Sequence, residues 1–274
     1  MENESTYWDM IYKKEAKEEY PDELVEERYR LNHLNLLLKW ANVKGSQLVL
    51  KTDLFGEATG SQRAFLWDML QSNNNVVSTD ISFAVVSGAR ERALQHAPGL
   101  GHYVNCDLRE LPFASNSFDL IVSDSSLDHF KHEVEILTAL FELTRVLKRG
   151  GTLIITMDNK GNLTEPLFRL WIYFGLAPFF SGKTYSIKEL IQALTRVKLC
   201  VMDVTAIVHY PRFFTKMTIR LLRKIMPSRL DRNIRRVLAF FDRLESTQTK
   251  YLTGLFIAAK AVKLCVHREN RCPR

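Results

Sequence analysis

The chain has 274 residues, 46% hydrophobic, 25% charged and 11% aromatic, with only 12 glycines and 8 prolines. That composition excludes a collagen-like, low-complexity or mostly disordered chain, because apolar material for a large core is abundant. Net charge is +7 and unevenly spread: between Pro211 and Arg243 ten basic residues face only Asp231 and Asp242, a surplus of eight, so the remainder sums to −1. The four cysteines (Cys106, Cys200, Cys265, Cys272) include no Cys-x-x-Cys pair, so we expect reduced thiols of an intracellular protein and no metal site. The acidic, polar start Met1-Glu2-Asn3-Glu4-Ser5 does not read as a secretory leader, and the longest apolar run, Leu170 to Phe180, is too short to span a bilayer. A cytoplasmic location, with peripheral membrane contact as an option, is the expectation.

Pro21 to Val43 predicts a helix, with acids at its start, Gly45 at its stop and an apolar stripe of Leu24, Leu31, Leu34 and Leu38. Tyr7, Trp8 and Tyr12 before it suggest a short helix or covering arm. Leu48 to Leu50 predicts a first strand, running into Asp53 and a loop with Gly56 and Gly60. A helical pattern at Phe65 to Leu70 precedes a second strand, Val76 to Thr79, ending at Asp80. Phe83 to Leu94 predicts a helix, and His102 to Cys106 a third strand ending at Asp107. Leu120 to Ser123 predicts a fourth strand with Asp124 at its end. Val134 to Leu147 predicts a helix stopped by Gly150-Gly151, and Thr152 to Met157 a fifth strand. Ile187 to Arg196 predicts a helix, Leu199 to His209 a sixth strand and Leu252 to Val262 a seventh. Two helices split by Pro227 are expected between the last two strands. Short strands alternating with helices imply an α/β, Rossmann-like doubly wound fold: a mostly parallel seven-stranded sheet with helices on both faces. We divide the chain into an N-terminal helical cover (1–46), a ligand-binding core (47–160) and a third part (161–274) with the last strands and the basic insertion, all in one structural domain.

Open parallel sheets bind ligands at the carboxyl ends of their strands. Three successive strands here end at or beside an aspartate: Asp53, Asp80 and Asp107. Asp is common at such turns as a helix N-cap, so each alone says little. Together on one edge they favour an adenosine-containing ligand, with the carboxylate after the second strand placed for ribose hydroxyls.

The run Asp107-Leu108-Arg109-Glu110-Leu111-Pro112-Phe113-Ala114-Ser115-Asn116-Ser117-Phe118-Asp119 resembles the D-x-x-x-L-P-F-x-x-x-S-F-D signature of class I S-adenosylmethionine-dependent methyltransferases, nearest their small-molecule and quinone branch. Leu143 to Leu153 is similar to that family's helix, Gly-Gly turn and fifth strand. The resemblance covers about Leu48 to Met157. It implies S-adenosyl-L-methionine as cofactor, with Asp80 and Ile81 at the ribose, Asp107 and Leu108 at the adenine, and Asp53, Gly56, Glu57, Gly60 and Asp124 around the methionine part. The first motif departs from the pattern: only with one residue inserted after Asp53 do Gly56 and Gly60 fall on the outer glycine positions, with Ala58 in the middle.

A sulfonium methyl is already activated, so such an enzyme chiefly aligns a nucleophile and excludes water. His129, in Ser125-Ser126-Leu127-Asp128-His129-Phe130, is the candidate base, with a cap or packing histidine as the alternative. Phe168, Trp171, Tyr173, Phe174, Phe179 and Phe180 suggest either a wall for a hydrophobic acceptor or a helix packed on the sheet. The expected activity is methyl transfer from S-adenosyl-L-methionine to a small, hydrophobic acceptor. The alternative is an inactive methyltransferase-like scaffold touching a membrane or RNA through its basic insertion. Residues 211–243 are the candidate for peripheral membrane contact, and nucleic acid is disfavoured because the aromatics there sit on the apolar face.

Overall fold

The computed structural model describes residues 4–15, 23–41, 47–61, 64–72, 75–174, 182–210 and 230–264. The expected Gly45 stop, the first helix of the basic insertion, Phe179, Phe180, Cys265 and Cys272 lie outside them.

Helices α1 (Glu4–Glu15) and α2 (Glu23–Trp40) precede β1 (Val49–Thr52). Then follow α3 (Phe55–Thr59), α4 (Leu66–Ser72), β2 (Val76–Asp80), α5 (Phe83–His96), β3 (His102–Asn105) and β4 (Phe118–Asp124). A 3-10 turn (Leu127–His129), α6 (Glu133–Val146), β5 (Leu147–Asp158), α7 (Glu165–Tyr173), α8 (Ile187–Arg196) and β6 (Leu199–Ile207) come next. After α9 (Leu230–Asp242), a 3-10 turn (Arg243–Ser246) and the one-turn α10 (Lys250–Thr253) lead into β7 (Phe256–Lys263).

The strands form one seven-stranded sheet, as the alternating pattern predicts, in the order β3-β2-β1-β4-β5-β7-β6. The β1–β2, β1–β4, β2–β3 and β4–β5 pairs are parallel, while β7 runs antiparallel to both neighbours. Successive side chains point to opposite faces. Val122 and Ile154 accordingly join Leu36, Leu66, Val85 and Ile234 in one core layer, beneath α2, α4, α5 and α9. Ile121 and Ile155 join Ile136, Leu140 and Leu190 in the other, beneath α6 and α8.

Three details differ from the sequence expectation. The stretch after β1 is a helix rather than an open glycine loop: α3 starts at Phe55, and Gly60 closes it in the left-handed region (φ 74°). A side chain at Gly60 would meet the Arg92 guanidinium, itself donating to the Ala58 carbonyl (2.9 Å). The second difference is at the Gly150-Gly151 turn, which does not stop α6. That helix ends at Val146, and Lys263 Nζ from β7 caps it by donating to the Thr144 and Leu147 carbonyls (2.7 and 2.8 Å). Gly150 (φ 77°) lies in the excursion β5 makes between its pairings with Phe118 and Leu120. Third, Cys200, buried on β6, is disulfide-bonded, so the expectation of four reduced thiols fails for it, whereas Cys106 is free.

Much of the recognised signature serves this architecture. Glu142 accepts from the Leu111 amide (2.9 Å), and Arg145 donates to the Phe113 and Leu111 carbonyls (2.7 and 2.9 Å). Phe113 meets Phe118 edge-on at 5.1 Å, and Asp119 accepts from the Leu48 amide (3.0 Å) and the Lys148 ammonium (2.8 Å). The L-P-F-x-x-x-S-F-D run therefore ties the β3–β4 connection to α6 and to the entry of β1.

Candidate active site

The site sits at the carboxyl ends of β1, β2 and β4. Asp53 follows β1 in the left-handed region (φ 68°), a conformation that Asp tolerates through local hydrogen bonding. Its Oδ1 accepts from the Phe55 amide at 2.7 Å. Asp80, the last residue of β2, accepts from Leu54 N on Oδ2 (3.0 Å) and from Ser82 N on Oδ1 (2.9 Å). One carboxylate thus clamps the two strand-to-helix turns together. Each carboxylate oxygen offers about two acceptor directions, so Asp80 keeps one on each oxygen. Burial pushes both carboxyls upward, Asp53 well above its usual range; Lys51 opposes the shift in both, as do the backbone donors. Two crowded carboxylates of this kind favour a ligand that brings hydroxyl donors or positive charge.

Lys51, buried on β1, was not singled out by sequence reasoning, although a lysine inside an apolar strand is itself the signal. Its ammonium lies 3.3 Å from Glu57 Oε1 and 4.9 Å from the centre of the Phe65 ring. Glu57 also accepts from Leu66 N (3.1 Å) and is buried. It therefore turns into the core, not toward a bound methionine group. Gly56 lies inside α3, with only ordinary contacts to Ala64 where a side chain would go.

Asp124 also differs from its expected role. Its Oδ1 is 3.1 Å from His33 Nε2 and accepts from Thr156 Oγ1 at 2.6 Å. Burial works against the charged form, yet the His33 and Thr156 contacts hold this carboxyl down at about 2. The pair lines a cavity of about 10 Å³ with Leu36, Phe65 and Ile154, enough for about one water. His33 has no counterpart in the sequence expectation, which read α2 only as cover.

At the far end of the edge, Asp107 is engaged by Arg109: the backbone amide donates to Oδ1 (2.8 Å), Nε lies 3.0 Å from both oxygens, and Nη2 donates to Oδ2 (2.6 Å). Arg109 also reaches Glu135 of α6 (2.9 Å) and Glu4 of α1 (2.6 Å). The carboxylate expected at an adenine amine is thus largely taken up by this arginine. Leu108 is half-buried against the α6-side core, and the Ile81 carbonyl accepts from Asn105 Nδ2 (2.9 Å).

Helix α1 covers this edge as the sequence suggested. Asp9 accepts from Ser82 Oγ and from Ala84 N (3.2 Å), at the positive end of α5. Trp8 lies edge-on to His129 (ring centres 4.6 Å apart) and to Phe55 (6.4 Å). His129 is near enough to oppose, as the smallest influence, the burial that raises the Asp80 carboxyl. The structure therefore gathers Asp53, Asp80, His129, Phe55 and Trp8, whereas Glu57 and Asp124 belong to the packed layer beside them.

Residues 55–155 match the family described as "Methyltransferase domain". The chain is 32% identical over 132 residues to the ubiquinone/menaquinone biosynthesis C-methyltransferase UbiE of Proteus mirabilis, covering 48% of this chain and 50% of that one. It spans about half the length of the curated relatives it matches. Among solved structures, phosphoethanolamine N-methyltransferase 2 of Haemonchus contortus superposes with a TM-score of 0.57 at 20% identity, over 85% of this chain and 52% of the other. The [4+2]-cyclase SpnF superposes equally well (TM-score 0.57, 17% identity, 86% and 80% covered), so the shared fold does not fix the reaction. Through its matched domain, its relatives and its strand order, the chain is similar over about half its length to class I S-adenosylmethionine-dependent methyltransferases.

Proposed function

We propose that the protein transfers the methyl group of S-adenosyl-L-methionine to a small, hydrophobic acceptor. The observation that carries this reading is the Asp53–Asp80 pair: two half-buried carboxylates, with Asp80 clamped through Leu54 N and Ser82 N, at the edge where the fold binds nucleosides. The donor set fits the cofactor. Asp80 would accept both ribose hydroxyls on its remaining lone pairs, and Asp53 would face the cationic ammonium or sulfonium. When bound, the cofactor supplies an electrophilic methyl on positively charged sulfur. Phe55, Trp8 and His129 would exclude water around it, and His129 would accept a proton from a hydroxylated acceptor. The quinone biosynthesis in the relatives' names supports an apolar ring of the quinone or hydroquinone kind as the acceptor class.

Incubation with methyl-labelled S-adenosylmethionine and 1,4-dihydroxynaphthalene tests this. Label is expected in the organic extract, reduced about a hundredfold in His129→Gln, the scale of one general base. Label that never leaves the aqueous phase, with this ring or other dihydroxy-naphthalenes and benzenes, would overturn the reading.

A further inference from the structure

The edge of the molecule from α9 to α7 exposes apolar side chains that a folded surface ordinarily covers. On α9, Ile234 and Leu238 are buried, and the helix is fastened to α2 by Arg28–Asp242 and Arg235–Glu27. Its opposite stripe carries Arg232, Arg236 and Phe240, continued by Arg243 at the start of the following 3-10 turn, with Phe240 60% exposed. These three arginines have no acidic partner among the described residues, unlike Arg28 and Arg235. From Arg243 the chain passes through a 3-10 turn to α10, where the Leu252 carbonyl accepts from Leu163 N (2.9 Å) just before α7. Leu163 is 71% and Tyr173 82% exposed, and Leu167, Leu170 and Phe174 are exposed between and after them. α7 is thus a mostly apolar helix with its outer side bare, its entry bonded to α10, which follows the basic stripe in the chain.

We propose that this edge is an interfacial docking surface for an anionic lipid bilayer, with Arg232, Arg236 and Arg243 meeting headgroups and the α7 side chains entering the acyl boundary. Charge selects this occupant. Arg232, Arg236 and Arg243 have no acidic partner among the described residues, so two copies brought together through them would repel, whereas an anionic surface attracts. The apolar component favours lipid over nucleic acid, because the exposed Leu163, Leu167 and Leu170 offer no ring for base stacking. No helix among the described residues is long and apolar enough to cross a membrane, so contact would lie in the interface plane. α7 follows the carboxyl end of β5, on the side of the sheet where the candidate site lies.

Sedimentation of the full chain with vesicles tests the proposal, using phosphatidylcholine alone and phosphatidylcholine with about one-third phosphatidylglycerol. Strong partitioning is expected only on the anionic vesicles, weakening as salt is raised. Replacing Arg232, Arg236 and Arg243 together by Gln should lower it about a hundredfold, roughly fivefold per cation near the surface. Leu167→Ser with Leu170→Ser should lower it about tenfold on the same vesicles. Calorimetric binding of S-adenosylhomocysteine should be unchanged in both variants, which shows that they fold and separates this proposal from the proposed activity. No sedimentation of the native chain, or equal sedimentation of native chain and both variants, would overturn it. So would a dimer that the leucine pair abolishes, or RNA binding that depends on the arginines while vesicles are ignored.

Discussion

Two aspartates four residues apart show how environment sets a carboxyl's role. Asp128 is buried, and its Oδ2 accepts from Ser125 Oγ (2.7 Å) and Asp158 N (2.8 Å), while Oδ1 has no hydrogen bond. Burial, reinforced by Asp158, raises this carboxyl from 3.8 to about 6. The folded state therefore prefers the proton. The cost of ionising Asp128 is absent below pH 3.8, grows as pH rises toward 6, and is complete above it. Asp128→Asn keeps the shape without the charge and should stabilise the protein at pH 7.5 by about 2 kcal/mol, with no gain at pH 3.5. Denaturant titrations at the two pH values measure this; an equal or negative effect at pH 7.5 would contradict it. Asp124 is the opposite case. Held near 2, it contributes stability above pH 3.8 that is lost as pH falls through about 2. His33→Ala, which strands this buried carboxylate, should cost about 3 kcal/mol in a urea titration at pH 7. A loss no larger than that of an exposed histidine would show that the pair is not a stabilising one.

At the scale of elements, α1 and α8 are held by different means. α8 starts with a reciprocal capping box: Glu189 N donates to Ser186 Oγ (3.3 Å), and Ser186 N donates to Glu189 Oε2 (2.7 Å). Ser186→Ala should cost about 1 kcal/mol, read as a shifted urea midpoint with unchanged slope. Helix α1 is held by polar contacts at both ends of its covering face, Glu4 to Arg109 and Asp9 to α5, with Trp8 between. A ligand lying between Phe55 and His129 must displace that indole. Arg109→Gln should loosen α1, so trypsin should cut at Lys13 or Lys14 about tenfold faster in native buffer, the loss expected of one charge-assisted contact. Cleavage at the native rate would mean that Arg109 does not fasten the helix. α8 was legible as a helix from Ile187 to Arg196, although its Ser186–Glu189 box was not singled out. The α1 clasp was not legible, because Glu4 and Arg109 lie 105 residues apart and only the fold brings them together.

For the whole molecule, the seven-stranded, mostly parallel sheet and its helical layers were legible because the buried strands are short apolar runs that alternate with helical patterns. The signature at Asp107 to Asp119 was legible for the same reason that it says more about fold than chemistry: Leu111, Phe113, Phe118 and Asp119 all make structural contacts. What could not be read was the division of labour among the acids. Asp80, Asp107, Asp124 and Glu57 look alike in the chain. Only three-dimensional pairing shows Glu57 meeting Lys51, Asp124 meeting His33 and Asp107 meeting Arg109, which leaves Asp80 and Asp53 at the edge. The glycine motif was misread as an open loop because two glycines suggested a turn, whereas Asp53 makes the left-handed turn and α3 begins two residues later.

The proposed activity rests on Asp80 as the carboxylate that holds the nucleoside. Calorimetric titration of S-adenosylhomocysteine into the native chain and Asp80→Asn tests this most directly, since the product analogue needs no acceptor. Saturable one-to-one binding is expected for the native chain, weakened about a hundredfold in the variant by the loss of two hydrogen bonds to a charged acceptor. Absence of binding to the native chain, or the same affinity in the variant, would contradict it.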